Sequence, residues 1–160
     1  MLVFYSLDSL ERLVNAQTFF MDGTLSVAPH PFKQLYTIRV PFKDVTGTAV
    51  YAFLPNKCQD TYRELFQYLV DNYHASNLQF NIQTDFEDAV FRAVTAVFGR
   101  PINHQGCFYH LTQASWRKVQ QPGLVPLYKN DDDFRLFCGM MDGLAFSPVP
   151  DLTNGIHLPC

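Results

Sequence analysis

The chain has 160 residues, 48% of them hydrophobic and 17% charged, which suits one domain with a single core and excludes a disordered chain. A net charge of −3 and a pI near 5.9 exclude a free-standing basic DNA-binding module, so any nucleic-acid contact must be local or come from another segment. Cys58, Cys107, Cys138 and Cys160 show no framework spacing, and no apolar run reaches the ~18 residues of a membrane span; an intracellular, soluble protein with reduced thiols is expected.

Along the chain, "SLDSLERLVNA" places Leu7, Leu10, Leu13 and Val14 at helical spacing and predicts a short opening helix. "AQTFFMDGT", "QLYTIRVPF" and "TAVYAFLP" then read as three strands, rich in Phe, Tyr, Val, Ile and Thr and separated by Gly, Pro and polar residues. Short links between them predict an antiparallel meander. "DTYRELFQYLVDNYH" follows as a helix. Thr61 and Glu64 stand at capping-box spacing, and Tyr62, Leu65, Phe66, Leu69, Val70 and Tyr73 mark its apolar face.

"NLQFNIQTDF" alternates Leu78, Phe80 and Ile82 against polar neighbours as a fourth strand. It leads into "EDAVFRAVTAVFG", a helix stopped at Gly99 with Pro101 just beyond. "INHQGCFYH" is the fifth strand, and "LTQASWRKVQQ" is a helix ended by Pro122 and Gly123. "NDDDFRLFCGMMDGLAF" gives a last helix with acids in its first turn, where the helix dipole favours them. Its apolar face is Phe134, Phe137, Cys138, Met141 and Ala145. From Ser147 onward, prolines, Asn154 and Gly155 break regular structure, so residues 1–150 are expected to form one domain and 151–160 an irregular tail. The order is α/β with a mixed five-stranded sheet, three antiparallel strands and then alternating helix and strand, flanked by helices. The ribonuclease H-like pattern has this order, as do other topologies.

Asp22 lies near the end of the first of these strands, just before Gly23, and Asp85 at the end of the fourth. If these strands are neighbours, the two carboxylates meet, and a divalent cation removes their repulsion. Such a pair suits two Mg²⁺ or Mn²⁺ ions, one activating a water or hydroxyl and one stabilising the leaving oxygen. The alternative is an Asp-Gly turn at Asp22 and a helix cap at Asp85, both common uses of Asp. Spacing alone leaves both open.

"FMDGTLSVAPHPFKQLYTI", "YAFLPNK", "TDFEDAV", "GCFYHLTQASWRKVQ" and "FRLF…LAFSP" occur in this order. Together they resemble the catalytic domain of Mutator-like element (MULE) transposases, the animal-type branch often found behind a FLYWCH zinc finger. The resemblance covers roughly residues 15 to 150. It implies a ribonuclease H-like fold, a location in the nucleus, and a DDE triad that cuts DNA and joins the 3′ ends to a target. It places the first acid on Asp22 and the second on Asp85, which makes them the metal ligands and catalytic residues. DNA, as transposon ends and target, is the implied partner, along with self-association; no membrane is implied.

The family's C-x-x-H element falls on Cys107 and His110. At this spacing they could bind zinc, with His104 as a third donor, or serve as a core cysteine and a helix-opening histidine. His110, Trp116, Arg117 and Lys118 are candidates for DNA contact, or else the solvated face of an ordinary amphipathic helix. Lys33, Arg39 and Lys43 are weaker candidates. Glu87 and Asp88 could support the acids from behind or cap a helix.

The third acid departs from the family pattern. No glutamate follows Glu87, and Asp131, Asp132, Asp133, Asp142 and Asp151 do not match the family position. The resemblance therefore implies an incomplete or degenerate catalytic domain, a truncated copy or a domesticated remnant. The alternative is a non-catalytic DNA- or protein-interaction module.

Overall fold

The computed structural model describes residues 1–73, 81–99 and 102–148, together with Leu152. The chain forms two compact units, Met1–Cys107 and a second from Phe108 onward. The first holds a mixed sheet of β1 (Leu2–Phe4), β2 (Thr18–Thr24), β3 (Gln34–Phe42), β4 (Val45–Leu54), β5 (Asn81–Thr84) and β6 (Asn103–Gly106), in the order β1-β4-β3-β2-β5-β6. The strands β2, β3 and β4 are antiparallel neighbours, whereas β2, β5 and β6 run parallel. The β3–β4 link is tight, between Phe42 and Val45, and each parallel step is made through a helix, as a parallel crossover requires.

One sheet face is built by the two-residue period of the strands. Phe19 and Met21 of β2, Tyr36, Ile38 and Val40 of β3, Val50, Ala52 and Leu54 of β4, and Ile82 of β5 are all buried. The helices α2 (Gln59–Tyr73) and α3 (Asp88–Phe98) close this face with Tyr62, Leu65, Phe66, Leu69, Val90, Ala93 and Val94. A bulge between Ile38 and Arg39 leaves Ala49 as an extra residue on β4, so Ala49 and Val50 are buried in succession. The helix α1 (Leu7–Asn15) adds Leu10 and Leu13 to the same core and is fastened to β4 by the Ser9 hydroxyl, which donates to the Ala49 carbonyl at 2.9 Å. The second unit is helical: α4 (Phe108–Gln120), α5 (Val125–Asn130), α6 (Asp132–Gly143) and a 3₁₀ turn at Leu144–Phe146.

The expected strands and helices are present, with corrections. The sheet has six strands, not five. Residues 2–4 are too few to show a period, and they become β1 only because the edge of β4 offers them a ladder. The capping box expected at Thr61 and Glu64 is not formed. Helix α2 starts earlier, at Gln59, and Asn56 Oδ1 accepts from both the Cys58 N–H at 3.0 Å and the Thr61 hydroxyl at 2.7 Å. Leu7 is exposed because Ser6 is the N-cap of α1, which puts Leu7 at the first helical position, off the buried face. Helix α5 follows Pro122 and Gly123, where only a link was expected, and α6 ends at Gly143, so Ala145 falls beyond its apolar face. Gly99 stops α3 as expected, with φ 71°. Leu78, Phe80, Pro101 and Asp151 lie outside the described residues, as does nearly all of the segment 151–160.

Candidate active site

Asp22 does not sit in a turn. The strand β2 continues past it to Thr24, Gly23 pairs with Tyr36, and Asp22 itself pairs with Thr37, whose hydroxyl donates to the Asp22 carbonyl at 3.3 Å. Asp22 is half-buried and falls on the sheet face opposite Phe19 and Met21. Nor is Asp85 the N-cap of α3; that position is Glu87, which makes no side-chain cap. Asp85 Oδ1 instead accepts from the Glu87 N–H at 3.4 Å, at the entry to the helix.

The parallel ladder of β2 and β5 registers Thr18, Phe19 and Phe20 with Asn81, Ile82 and Gln83. Asp22 lies on β2 two residues beyond the last pair of that ladder, and Asp85 follows the end of β5. Both carboxylates, together with Glu87, act on a shared neighbour. The Tyr36 phenol is fully buried and pushed well above its ordinary pKa, first by burial, then by the charges of Tyr62, Asp85, Glu87 and Asp22. A negative phenolate would have to form beside three carboxylates, so Tyr36 stays neutral.

Glu87 is the hub of a hydrogen-bonded chain. Its Oε2 pairs with Lys57 Nζ at 2.8 Å, and its Oε1 accepts from the Tyr62 hydroxyl at 3.0 Å. Tyr62 accepts in turn from Gln34 Nε2 at 2.7 Å, and Gln34 is 0% exposed. Gly23 lies against this glutamine: a Cβ there would meet Gln34 Oε1 at 2.4 Å and Tyr36 Cδ2 at 3.3 Å. Because Gln34 is buried and tied to Tyr62, it has little room to yield. Gly23→Ala should cost about 1–3 kcal/mol, the usual penalty of overpacking a core, seen as a lower urea midpoint with an unchanged slope. A midpoint equal to the parent's would mean that Gln34 moves freely.

A cleft of about 280 Å³ opens beside Asp85, lined by Phe86, Glu87, Phe91, His104 and Gly106 among others. The His104 ring stacks on Phe91 with centroids 4.9 Å apart, and its Nε2 lies 2.6 Å from the Thr84 hydroxyl. That hydroxyl donates to the Asp85 carbonyl at 2.8 Å, so His104 Nε2 is the donor to Thr84. Burial lowers the His104 pKa, with the Asp85 charge opposing it. The folded chain then binds fewer protons than the unfolded one, and the sign follows. Stability is full above the ordinary value of 6.5 and is lost as pH falls from there towards the lowered folded value. His104→Gln keeps an N–H for Thr84 and should flatten the thermal midpoint across that window; a variant that tracked the parent would place the acid-side loss in other groups.

The remaining candidates are dispersed. The Cys107 thiol is free, and its backbone N–H donates to the Thr84 carbonyl at 2.7 Å, closing the first unit. His110 belongs to α4 of the second unit, edge-on to Tyr109. Among the described residues no three His, Cys, Asp or Glu side chains cluster to hold a metal ion. On α4, Trp116 turns with Thr112, Ser115 and Val119 towards a groove shared with α5 and α6, and meets Tyr128 edge to face at 5.1 Å. Arg117 borders a separate hollow with Ala114 and Gln121, and Lys118 borders both that hollow and the Trp116 groove. Lys33 and Lys43 are exposed, as is Arg39. Of the late aspartates, Asp131 caps α6 by accepting from the Phe134 N–H at 2.8 Å, Asp132 pairs with Arg135, and Asp133 is exposed in the first turn. Asp142 lies in α6 with Oδ1 buried and without a hydrogen-bond partner among the described residues.

Sequence reasoning missed Gln34, Lys57, Tyr62 and Thr84 as parts of the site. One signal was available: Gln34 stands in the same alternation as Tyr36, Ile38 and Val40, where a polar side chain must find a buried partner.

A family model described as the MULE transposase domain matches residues 18–114, more than half of the chain. The match includes both Asp22 and Asp85. No curated protein matches the chain.

Proposed function

The chain belongs to the MULE transposase domain family, and from that premise we propose that its first unit is a ribonuclease H-like catalytic domain for divalent-metal-dependent cleavage and strand transfer of DNA. The strand order β4-β3-β2-β5-β6, antiparallel on one side of β2 and parallel on the other, supports the fold half of this reading; β1 is then an added edge. The observation that carries the function is the place of Asp22 on β2 and of Asp85 just past the end of the neighbouring parallel strand β5, with both charges bearing on the buried Tyr36.

Asp22 and Asp85 would hold Mg²⁺ or Mn²⁺. The donors fit, because Mg²⁺ takes one or two carboxylates, keeps several waters and leaves positions for substrate phosphate. When bound, the metal supplies activation of the attacking water or hydroxyl and charge stabilisation at the leaving oxygen. The protein's own part is to hold the two acids at fixed separation and to leave the side facing Phe86 and Phe91 open to a strand. Arg117 and Lys118, both exposed on α4, are the phosphate-contact candidates, with His110 and Trp116 as further DNA candidates. Among the described residues no helix is long and apolar enough to cross a membrane, and DNA as substrate puts the working location in the nucleus.

Calorimetric titration with Mn²⁺ tests the reading. The chain should bind Mn²⁺ saturably, and Asp85→Asn should lose that binding while remaining folded. A folded parent chain that takes up no Mn²⁺ would sink the catalytic reading and leave the non-catalytic interaction module in its place.

A further inference from the structure

We propose that Glu87 is a positioning residue for Asp85, and that Gln34, Tyr62 and Lys57 form with it a clamp that sets the spacing of the two acids. The inference rests on the reading of Asp22 and Asp85 as the metal-binding pair, and it deepens that reading.

Asp85 lies just beyond the end of β5, where ladder hydrogen bonds no longer fix the backbone. Two residues on, the Glu87 N–H reaches Asp85 Oδ1 at 3.4 Å, which links the Asp85 carboxylate to the Glu87 backbone. The Glu87 side chain is in turn held from two elements: by Lys57, in the link between β4 and α2, and by Tyr62 on α2 itself. Proton directions in the chain are fixed. Gln34 has an amide N–H to give, so Tyr62 accepts from it and turns its own proton to Glu87.

The far end of the clamp lies against the residue after the other acid. Gln34 opens β3, its Oε1 lies against Gly23, and Gly23 follows Asp22. The chain Gln34–Tyr62–Glu87 therefore spans from the strand of Asp22 to the loop of Asp85. On the opposite side the same loop is gripped by the Thr84 hydroxyl, which donates to the Asp85 carbonyl, and by Phe86, whose ring occupies the space a side chain at position 106 would need. A loop gripped from both sides has a single geometry, which two carboxylates need if they are to share metal. Partners that hold a metal ligand from behind typically contribute 10–100-fold in metal affinity.

The test compares Mn²⁺ affinity and backbone amide protection at residues 85–88 in the parent chain, Glu87→Ala, Glu87→Gln, and Val90→Ala as a core-destabilised control. Glu87→Ala should weaken Mn²⁺ binding about 10-fold or more and lower the protection of those amides. Glu87→Gln, which still accepts from Tyr62, should recover most of both, and Val90→Ala should leave Mn²⁺ affinity near the parent's. Equal losses in Glu87→Gln and Glu87→Ala would overturn the clamp, because both remove the same charge and only one removes the hydrogen bond. Parent-like Mn²⁺ affinity in Glu87→Ala would overturn it as well. If Glu87→Ala does not fold, Lys57→Gln at the exposed end carries the comparison, with a few-fold loss expected and no loss decisive against. A parent chain that binds no Mn²⁺ would defeat the metal-pair reading instead; amide protection then judges the clamp by itself, kept by its loss in Glu87→Ala and overturned by its retention.

Discussion

Asp22→Asn should remove Mn²⁺ binding and any metal-supported DNA cleavage while leaving the chain folded. The substitution keeps size and shape and removes one negative oxygen donor from the proposed pair of carboxylates. Even residues that only support a metal ligand contribute 10–100-fold, so losing a ligand should cost more than about 100-fold in affinity. Calorimetry should show lost binding, and thermal unfolding should show a cooperative transition that reports a folded chain. Parent-like Mn²⁺ affinity in Asp22→Asn would mean that Asp22 is not a ligand.

Phe66→Ala should be the most damaging single core change. Phe66 is 0% exposed and its ring is surrounded by Tyr36 and Tyr62, each at 6.5 Å between centroids, and by Phe98 at 5.9 Å. Truncating a buried phenyl costs about 3–5 kcal/mol, transfer and cavity terms together, against a total of roughly 5–15 kcal/mol for a typical domain. The urea midpoint should fall by a large fraction of its value. A second consequence is local to the site. Tyr62 stacks on Phe66 and donates to Glu87, so the cavity should also loosen the loop that carries Asp85. A loss below ~1 kcal/mol would mean that the aromatic layer closes over the gap, at odds with the close packing of protein interiors.

Much of this protein was legible one segment at a time. The strand period in "QLYTIRVPF" gives the buried series Tyr36, Ile38 and Val40, and the helical period in α2 gives Tyr62, Leu65, Phe66 and Leu69. Both are set by backbone geometry alone, 2.0 residues per repeat in a strand and 3.6 in a helix. Gly99 ended α3 because a positive φ there suits glycine. The proposed pairing of Asp22 with Asp85 comes from the resemblance of motifs rather than from periodicity.

What the sequence could not determine is whatever depends on a distant partner. The strand β1 exists because β4 presents an open edge, and three residues carry no period of their own. Asn56 rather than Thr61 organises the start of α2, since the choice between nearby oxygens depends on where β4 delivers the chain. Whether "MDGT" turned or ran on as a strand was settled by β3, whose Tyr36 and Leu35 pair with Gly23 and Thr24. Gln34, Lys57, Tyr62 and Glu87 lie on four different elements or links, and only the folded sheet with α2 against it brings them into one chain of hydrogen bonds. Local propensity sets which segments are helix and strand; register and strand order are non-local quantities that tertiary packing alone decides.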